Sequence, residues 1–169
     1  MQLTMYQASI PSLIRVLTNL AAIIDKAAAH AAARRIDEAA FLQSRLFPDM
    51  YPFSKQVQIA TDMAKGCAAR LAGQEPPRYP DNESSFAELR ARVQTTIDFL
   101  GSFNPAQIDG SEERHISLPS RHGTREFNGR NYLLQFVLPN VYFHVTTAYN
   151  LLRHGGVEIG KQDYLGNIS

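Results

Sequence analysis

The chain has very little cysteine and no excess of charge of either sign. Its 169 residues include a single cysteine, Cys67, which excludes an intrachain disulfide and a cysteine-rich zinc site. Lysine and arginine number 17 against 16 for aspartate and glutamate, so the formal net charge is +1. The basic excess that is typical of nucleic-acid-binding proteins is therefore missing. We expect a cytoplasmic protein that binds no nucleic acid.

Long uninterrupted hydrophobic runs are also missing. Near the N-terminus, Arg15 and Asn19 interrupt the apolar segment, and Asp25 and Lys26 close it. A membrane-spanning helix needs roughly 18 apolar residues, and a signal peptide needs an unbroken apolar centre. We therefore expect neither, and interpret the segment as an amphipathic helix. Its apolar residues recur at spacings of three and four: Leu13, Leu17, Leu20 and Ile24.

The remaining composition is that of a globular domain. Hydrophobic residues make up 44% of the chain and charged residues 20%, which is close to the soluble average. The length predicts one domain over residues 1–169. Apolar residues at helical spacing predict four long helices, which begin at about residue 6 or 9, 53, 85 and 129 and end at about 30, 71, 103 and 154. The fold class is therefore all-α, a four-helix bundle.

Local signals predict where these elements begin and what lies between them. Ser85 and Glu88 have the spacing of a capping box, which predicts the start of the third long helix. A short helical turn is expected over 37–43. Two short runs, 115–118 and 124–127, predict a small hairpin before the last helix.

The predicted buried side of the last helix carries polar groups. His144 lies four residues after Asn140, so both side chains share one helical face. Val137 and Val141 lie on that face too, which predicts that His144 points inward. Bundle metal sites are built from such inward polar residues. The alternative interpretation is a buried histidine whose nitrogen is satisfied by a neighbouring hydroxyl, amide or carboxylate.

Gln58 and Asp62 on the second long helix flank its apolar stripe. From there a carboxylate could reach a neighbouring helix, where Asp62 would orient His144 or join it at a metal. The alternative is a solvated aspartate that pairs with Lys65, three residues further along. Cys67 lies near the same stripe and is interpreted as a small core residue rather than a nucleophile.

Four runs of the sequence and one single residue resemble a bacterial domain-of-unknown-function family that is placed in the DinB/YfiT-like superfamily. The longest is LPNVYFHVTTAYNLLRHGGVEIGKQDYLG at 138–166. SIPSLIRVLTNLAAIIDKAAAHA at 9–31 and RLFPDMYPFSKQV at 45–57 are also similar, as are Asp62 and ARLAG at 69–73. The likeness therefore extends over nearly the whole chain.

The resemblance implies a DinB-like up-down-down-up bundle with a long crossover, and a homodimer. Many superfamily members hold a divalent metal with a histidine on helix two and a His-x-x-x-His pair on helix four. Carried over, only His144 matches a ligand, because Ala148 stands where the second histidine of the pair would be. Helix two offers Gln58 and Asp62 in place of a histidine. Some relatives are transferases or isomerases that use low-molecular-weight thiols.

Three functions remain open at this point. The first is a protein that binds a small ligand or a partner through a degenerate metal-site pocket formed by His144, Asp62, Gln58, Asn140 and Tyr149. The second is a divalent-metal-dependent hydrolase in which His144 and Asp62 hold Zn or Ni. Two protein ligands bind such ions weakly, since zinc sites usually supply three or four. The third is a thiol-dependent transferase in which His144, Tyr142 or Tyr149 polarises the substrate.

Two further expectations concern the surface and the C-terminal segment. Tyr6, Tyr51 and Phe53 are expected to be exposed aromatics, which supports a dimer. The segment after 156 is expected to fold back onto the helices, because its apolar residues Ile159 and Leu165 are costly to leave in water.

Overall fold

A computed structural model describes residues 3–120 and 123–167, and it is mostly helical. Within that part of the chain the helices are α1 (Met5–Arg34), α2 (Glu38–Leu42), α3 (Phe53–Leu71), α4 (Phe86–Gly101), α5 (Pro105–Ile108), α6 (Gly129–Asn131), α7 (Leu138–His154) and α8 (Lys161–Leu165). A π-helical segment, Tyr132–Val137, joins α6 to α7. Two strands, β1 (His115–Ser120) and β2 (Gly123–Asn128), precede α6.

The four long helices pack in a definite order around one hydrophobic core. Helix α1 packs mainly on α4, α3 packs on both α7 and α4, and α8 lies on α1. Helix α3 is therefore the central helix, and most of its residues are buried. This position decides where the polar side chains of α3 point.

The predicted helices and their buried stripes are confirmed with small differences. The second long helix has the predicted bounds, Phe53–Leu71. The first begins earlier, at Met5, because Thr4 and Gln7 form a capping box that the sequence analysis missed. Pro11 consequently lies inside α1 rather than in its first turn.

The predicted capping box at Ser85 is only half formed. Ser85 Oγ accepts a hydrogen bond from the Glu88 amide at 3.2 Å. The Glu88 carboxylate, however, accepts from the backbone N–H and the hydroxyl of Ser84, at 2.6 and 2.9 Å. In a complete capping box the carboxylate would accept from the Ser85 N–H. Here the two Ser84 donors take that place.

The hairpin is confirmed and is slightly longer than expected. Strands β1 and β2 pair antiparallel from His115 opposite Asn128 to Ser120 opposite Gly123. The intervening turn residues, Arg121 and His122, lie outside the described residues. Ile116 is the residue of β1 that is buried in the core, so the hairpin root is fixed to the helices.

The last long helix contains a π-helical segment, which changes its predicted buried side. Pro139 has no N–H to donate to the preceding turn, and the Leu138 N–H bonds instead to Leu133 O, five residues back. Such a segment adds a residue to the turn. Leu134, which regular helical spacing places on the same buried side as Val137 and Val141, is therefore 51% exposed, and Leu133 is buried in its place.

Two expectations about apolar residues have different outcomes. The prediction that Phe53 is a surface aromatic is wrong: it is fully buried and packs edge-on against Phe86, with ring centroids 5.9 Å apart. The fold-back of the C-terminal segment is confirmed. Arg15 Nη2 donates to Leu165 O at 2.7 Å, and Asn19 Nδ2 donates to Tyr164 O at 2.9 Å.

Helix α1 is long and apolar enough, by length and composition, to cross a membrane. Half of its most apolar 18-residue window is buried inside the fold. Core helices of soluble proteins have the same property, so the finding is weak evidence for a membrane span.

Candidate functional site

His144 lies on α7 where that helix packs against the first turns of α3. Its side chain is buried, with 8% of the residue exposed. Nδ1 of the imidazole lies 2.7 Å from Oε1 of Gln56. Gln56 in turn donates from Nε2 to the backbone carbonyl of Tyr51 at 2.9 Å. A chain of hydrogen bonds therefore joins α7, α3 and the segment before α3.

This chain of hydrogen bonds fixes the tautomer of His144. A carbonyl oxygen accepts and cannot donate, so the Gln56 amide must turn its NH₂ group toward Tyr51 O. Its oxygen then faces His144 and needs a donor, which places a hydrogen on Nδ1. In the neutral imidazole the other nitrogen, Nε2, is left with a free lone pair.

Burial favours the neutral form of this imidazole. Desolvation lowers the pKa of His144 below its ordinary value of 6.5, because removing a charge from water is unfavourable. In the described part of the chain, the buried side-chain atom that lacks a hydrogen-bond partner is Ser111 Oγ. Nε2 of His144 is therefore not sealed in the core and keeps some contact with the surface.

An exposed aromatic ring lies beside this imidazole. The Phe143 ring meets the His144 ring edge-on, at 5.2 Å between centroids, and Phe143 is 56% exposed. Tyr51, whose carbonyl ends the hydrogen-bond chain, is 50% exposed.

Asp62 and Gln58 lie on the opposite side of α3 from Gln56, toward α4. Asp62 Oδ1 accepts from Lys65 Nζ at 2.6 Å and from Arg92 Nη2 at 2.8 Å. Gln58 Nε2 donates to Glu83 at 2.9 Å. Among the hydrogen bonds and ion pairs of the described residues, none joins Asp62 to His144. The alternative interpretation, in which Asp62 pairs with Lys65, is the one that the geometry supports.

Arg92 is the centre of this second group, which we call the Arg92 cluster. Its guanidinium is 3% exposed and donates to Thr61 Oγ1 at 2.8 Å, Glu83 at 2.8 Å and Pro80 O at 3.0 Å, besides Asp62. Asp81 lies 3.1 Å away. The donors of the guanidinium are used, so the cluster holds the proline-rich loop between α3 and α4 in place.

The other two predicted site residues also have partners away from His144. Asn140 Nδ2 donates to Phe136 O, one turn back on its own helix, at 2.6 Å. Tyr149 packs edge-on against Tyr164 of α8, with centroids 6.1 Å apart. Of the five predicted site residues, only His144 therefore lies at this contact between α3 and α7. The other four have partners elsewhere in the fold.

Gln56 is the residue that the sequence analysis missed. Gln56 and Gln58 are two positions apart, about 200° around a helix, so only one of them can face α7. A weak signal was present, because Gln56 follows the buried Phe53 by three and precedes the buried Ala60 by four. The signal was hidden because α3 is buried on two sides, and a single apolar stripe does not describe such a helix.

The side chains around His144 do not fit the metal that the resemblance implies. Ala148, fully buried on the next turn of α7, offers no ligand atom. The Gln56 oxygen is already occupied by Nδ1 of His144. In residues 3–120 and 123–167, no group of three or more His, Cys, Asp or Glu side chains is arranged to hold an ion. One imidazole nitrogen does not provide the three or four ligands of a zinc site.

Cys67 has no reactive character in this fold. Its side chain is fully buried, and burial raises the pKa of the thiol to about 12. The thiolate, rather than the thiol, is the nucleophile, so Cys67 packs as an apolar residue. Any thiol chemistry would need a thiol from a second molecule.

Comparisons with known proteins agree with the fold. Residues 5–165 match a family described as a domain of unknown function, DUF1993. The chain is 41% identical to a DinB family member protein from Shewanella denitrificans, whose crystal structure superposes with a TM-score of 0.90. That similarity covers 96% of this chain and 92% of the other. Among curated proteins, none matches.

Proposed function

Since the chain belongs to the DUF1993 family of domains of unknown function within the DinB-like superfamily, we propose that it is a metal-independent binding protein centred on His144. The four long helices serve as a DinB-type bundle, and the place of a metal site is taken by the pair His144–Gln56. The ligand is a small molecule that donates a hydrogen bond to His144 Nε2 and covers the neighbouring Phe143 ring.

One observation carries this proposal: Gln56 Oε1 accepts from Nδ1 of His144 at 2.7 Å, which leaves Nε2 as the nitrogen with the free lone pair in the neutral imidazole. The lone pair of Nε2 is thereby fixed in direction before a ligand arrives, so little entropy is lost on binding. Asp62, Gln58 and Asn140 are left out of the site because they form hydrogen bonds elsewhere. Tyr149 is left out because its ring packs against Tyr164.

A fragment screen by thermal shift tests the proposal. Binding to the folded state raises the melting temperature, and compounds with an N–H or O–H donor beside an apolar ring should do so. The shift should disappear in H144F, which keeps a ring and removes the acceptor. The matched control is H115F, since His115 is an exposed hairpin residue paired with Glu126 at 2.9 Å. Compounds that stabilise H144F as strongly as the unmodified protein would contradict the proposal.

The thiol-dependent transferase is the second candidate, and the same geometry favours it over the hydrolase. A neutral imidazole with a free nitrogen is the form that a general base needs to take a proton from a thiol. The hydrolase needs a metal whose ligands do not fit. Offering a low-molecular-weight thiol with an electrophile should give a rate above background that is lost in H144F. An unchanged rate would remove this candidate.

Two properties of the whole protein belong to the proposal as well. We expect it to be a cytoplasmic homodimer. Exposed apolar side chains near the His144 end of the fold support an interface, because a monomer rarely exposes several together. These side chains are Leu46, Phe47, Tyr51 and Phe143.

A further inference from the structure

A cavity lies far from His144, at the other end of α3. It has a volume of about 210 Å³ and lies between α3, the hairpin and the π-helical segment. Arg70 of α3 is 14 residues from Gln56, about 20 Å along the helix axis. This cavity is therefore separate from the site proposed above. Its walls include Met63, Arg70, Leu118, Arg125, Tyr132 and Phe136.

Arg70 brings an unpaired positive charge to this cavity. Its side chain is half buried, and Nη1 donates to the Tyr132 hydroxyl at 3.0 Å. In the described part of the chain, no carboxylate lies within ion-pair distance of Arg70. A partly buried cation without an anion is unfavourable, and a guanidinium has five donors, most of which remain unused here.

The carbonyl groups at the end of α3 do not account for this arginine. An arginine near a helix C-terminus often binds the last free carbonyls. Here the amides of Ala72 and Gln74 bond to Ala68 O and Ala69 O, at 3.0 and 2.8 Å. The Gly73 amide bonds to the carbonyl of Arg70 itself at 3.0 Å. The turn thus satisfies its own acceptors.

Tyr132 holds Arg70 in position. The residue is 1% exposed, and burial raises the pKa of the phenol to about 12, so the hydroxyl stays protonated near neutral pH. Its oxygen accepts from Arg70 Nη1 at 3.0 Å, which fixes the direction of the guanidinium at the cavity. An anion placed there would meet the guanidinium.

The rest of the cavity is mainly carbon. Phe136 stacks on Tyr132, with centroids 6.0 Å apart, and Arg125 lies over the Phe136 ring at 5.9 Å. Met63 and Leu118 complete the apolar wall. Ligand sites commonly combine such walls with a few placed polar groups.

The backbone adds an independent observation. Tyr132 and Phe136 both belong to the π-helical segment, Tyr132–Val137. Such segments are rare and occur often at functional sites. Here the segment brings two aromatic rings to the cavity wall, one of which contacts Arg70.

From these observations we propose that this cavity binds a small carboxylate with an apolar body. The carboxylate is held by Arg70, whose guanidinium the Tyr132 hydroxyl positions. The body lies against Met63, Leu118 and Phe136, and Arg125 is placed at the rim. Arg70 suits this role because its planar fork matches two carboxylate oxygens.

Titration calorimetry or NMR with three probes tests the charge and the apolar body separately. The probes are phenylacetate, its neutral analogue phenylacetamide, and inorganic phosphate. Phenylacetate should bind with a Kd on the order of 1 mM or tighter, as expected for about ten non-hydrogen atoms. Phenylacetamide and phosphate should each bind at least tenfold more weakly. Equal binding of the acid and the amide overturns the proposal, as does binding of phosphate alone or of no probe.

Variants test whether the ligand lies in this cavity or in the neighbouring one. R70M should abolish phenylacetate binding, and Y132F, which keeps the ring, should weaken it about fivefold or more. R90M is the matched control, because Arg90 pairs with Asp25 at the surface, at 3.2 Å. Since Arg70 also lines a neighbouring cavity with Arg114, R114M should leave binding unchanged. Loss of binding in R114M with full binding in Y132F would overturn the assignment.

Discussion

Nδ1 of His144 and Oε1 of Gln56 lie 2.7 Å apart, and this hydrogen bond joins α7 to the first turns of α3. Because the Gln56 NH₂ group donates to Tyr51 O, the Gln56 oxygen is the acceptor and Nδ1 of His144 is the donor. The imidazole is neutral, protonated on Nδ1, and open at Nε2. The proposed binding function depends on that state.

Replacing Gln56 tests the hydrogen-bond chain. Q56L keeps the side-chain size but leaves Nδ1 of His144 and Tyr51 O without partners. We expect a loss of about 1 to 3 kcal/mol in the free energy of unfolding, the usual result of leaving a buried polar group unpaired. Urea denaturation measures it. Q58L is the comparison, since Gln58 bonds to Glu83 on the other side of α3; it should leave the NMR signals of His144 unchanged. Altered His144 signals in Q58L but not in Q56L would contradict the geometry.

The depressed pKa of His144 predicts a pH dependence of stability. Between the unfolded value of about 6.5 and the lower folded value, the unfolded chain binds more protons than the native protein. Stability from this residue is therefore complete above pH 6.5 and decreases as the pH falls through that window. H144Q should make the curve between pH 7 and pH 5 flatter. Identical curves for the two proteins would show that His144 titrates normally.

Arg92 should be the charged residue whose removal costs most. R92M leaves Glu83 and Asp62 without the guanidinium that neutralises them, and we expect a loss of about 3 kcal/mol, as for other broken buried ion pairs. The loop between α3 and α4 should also become sensitive to limited proteolysis. R90M removes an exposed pair with Asp25 and should cost less than about 1 kcal/mol. Equal losses would indicate that the Arg92 cluster is no more than a surface network.

Metal content separates the binding protein from the hydrolase. Elemental analysis of protein purified without added metal should find Zn and Ni well below one ion per chain, because His144 has no second ligand on the next turn. Dialysis against a chelator should leave the melting temperature unchanged. Stoichiometric metal that is lost in H144F would support the hydrolase instead.

The dimer is tested by mass in solution. Light scattering at micromolar concentration should give about twice the chain mass of 18.9 kDa. The double variant F47S/F143S, at two exposed aromatic positions, should shift the mass toward the monomer without a loss of helical signal. L134S is the control, since Leu134 is exposed but lies three turns away from His144 on the same helix. A monomeric mass for the unmodified protein would contradict the prediction.

Much of the fold could be predicted from local patterns. The bounds of α3 follow from the prolines before it and Gly73 after it, which has a φ of +74°. The site could not be predicted as well, because α3 is buried on two sides. The pattern identified Gln58 and Asp62 as polar residues beside a stripe, but it did not show that Gln56, rather than these two, faces His144.

The amino-acid sequence by itself determined the helices, the hairpin and the absence of the second helix-four histidine at Ala148. These features depend on neighbours within a few residues, through periodicity, capping and turn chemistry. Only the tertiary structure decided which polar groups meet. Asp62 pairs with Arg92 of α4, and Gln56 forms a hydrogen bond with His144. Arg70 donates to Tyr132, and within the described residues no carboxylate pairs with it. The physical reason is that helix packing sets the rotation of α3 about its own axis, and so decides which side faces each neighbour. A short-range sequence pattern does not contain that rotation.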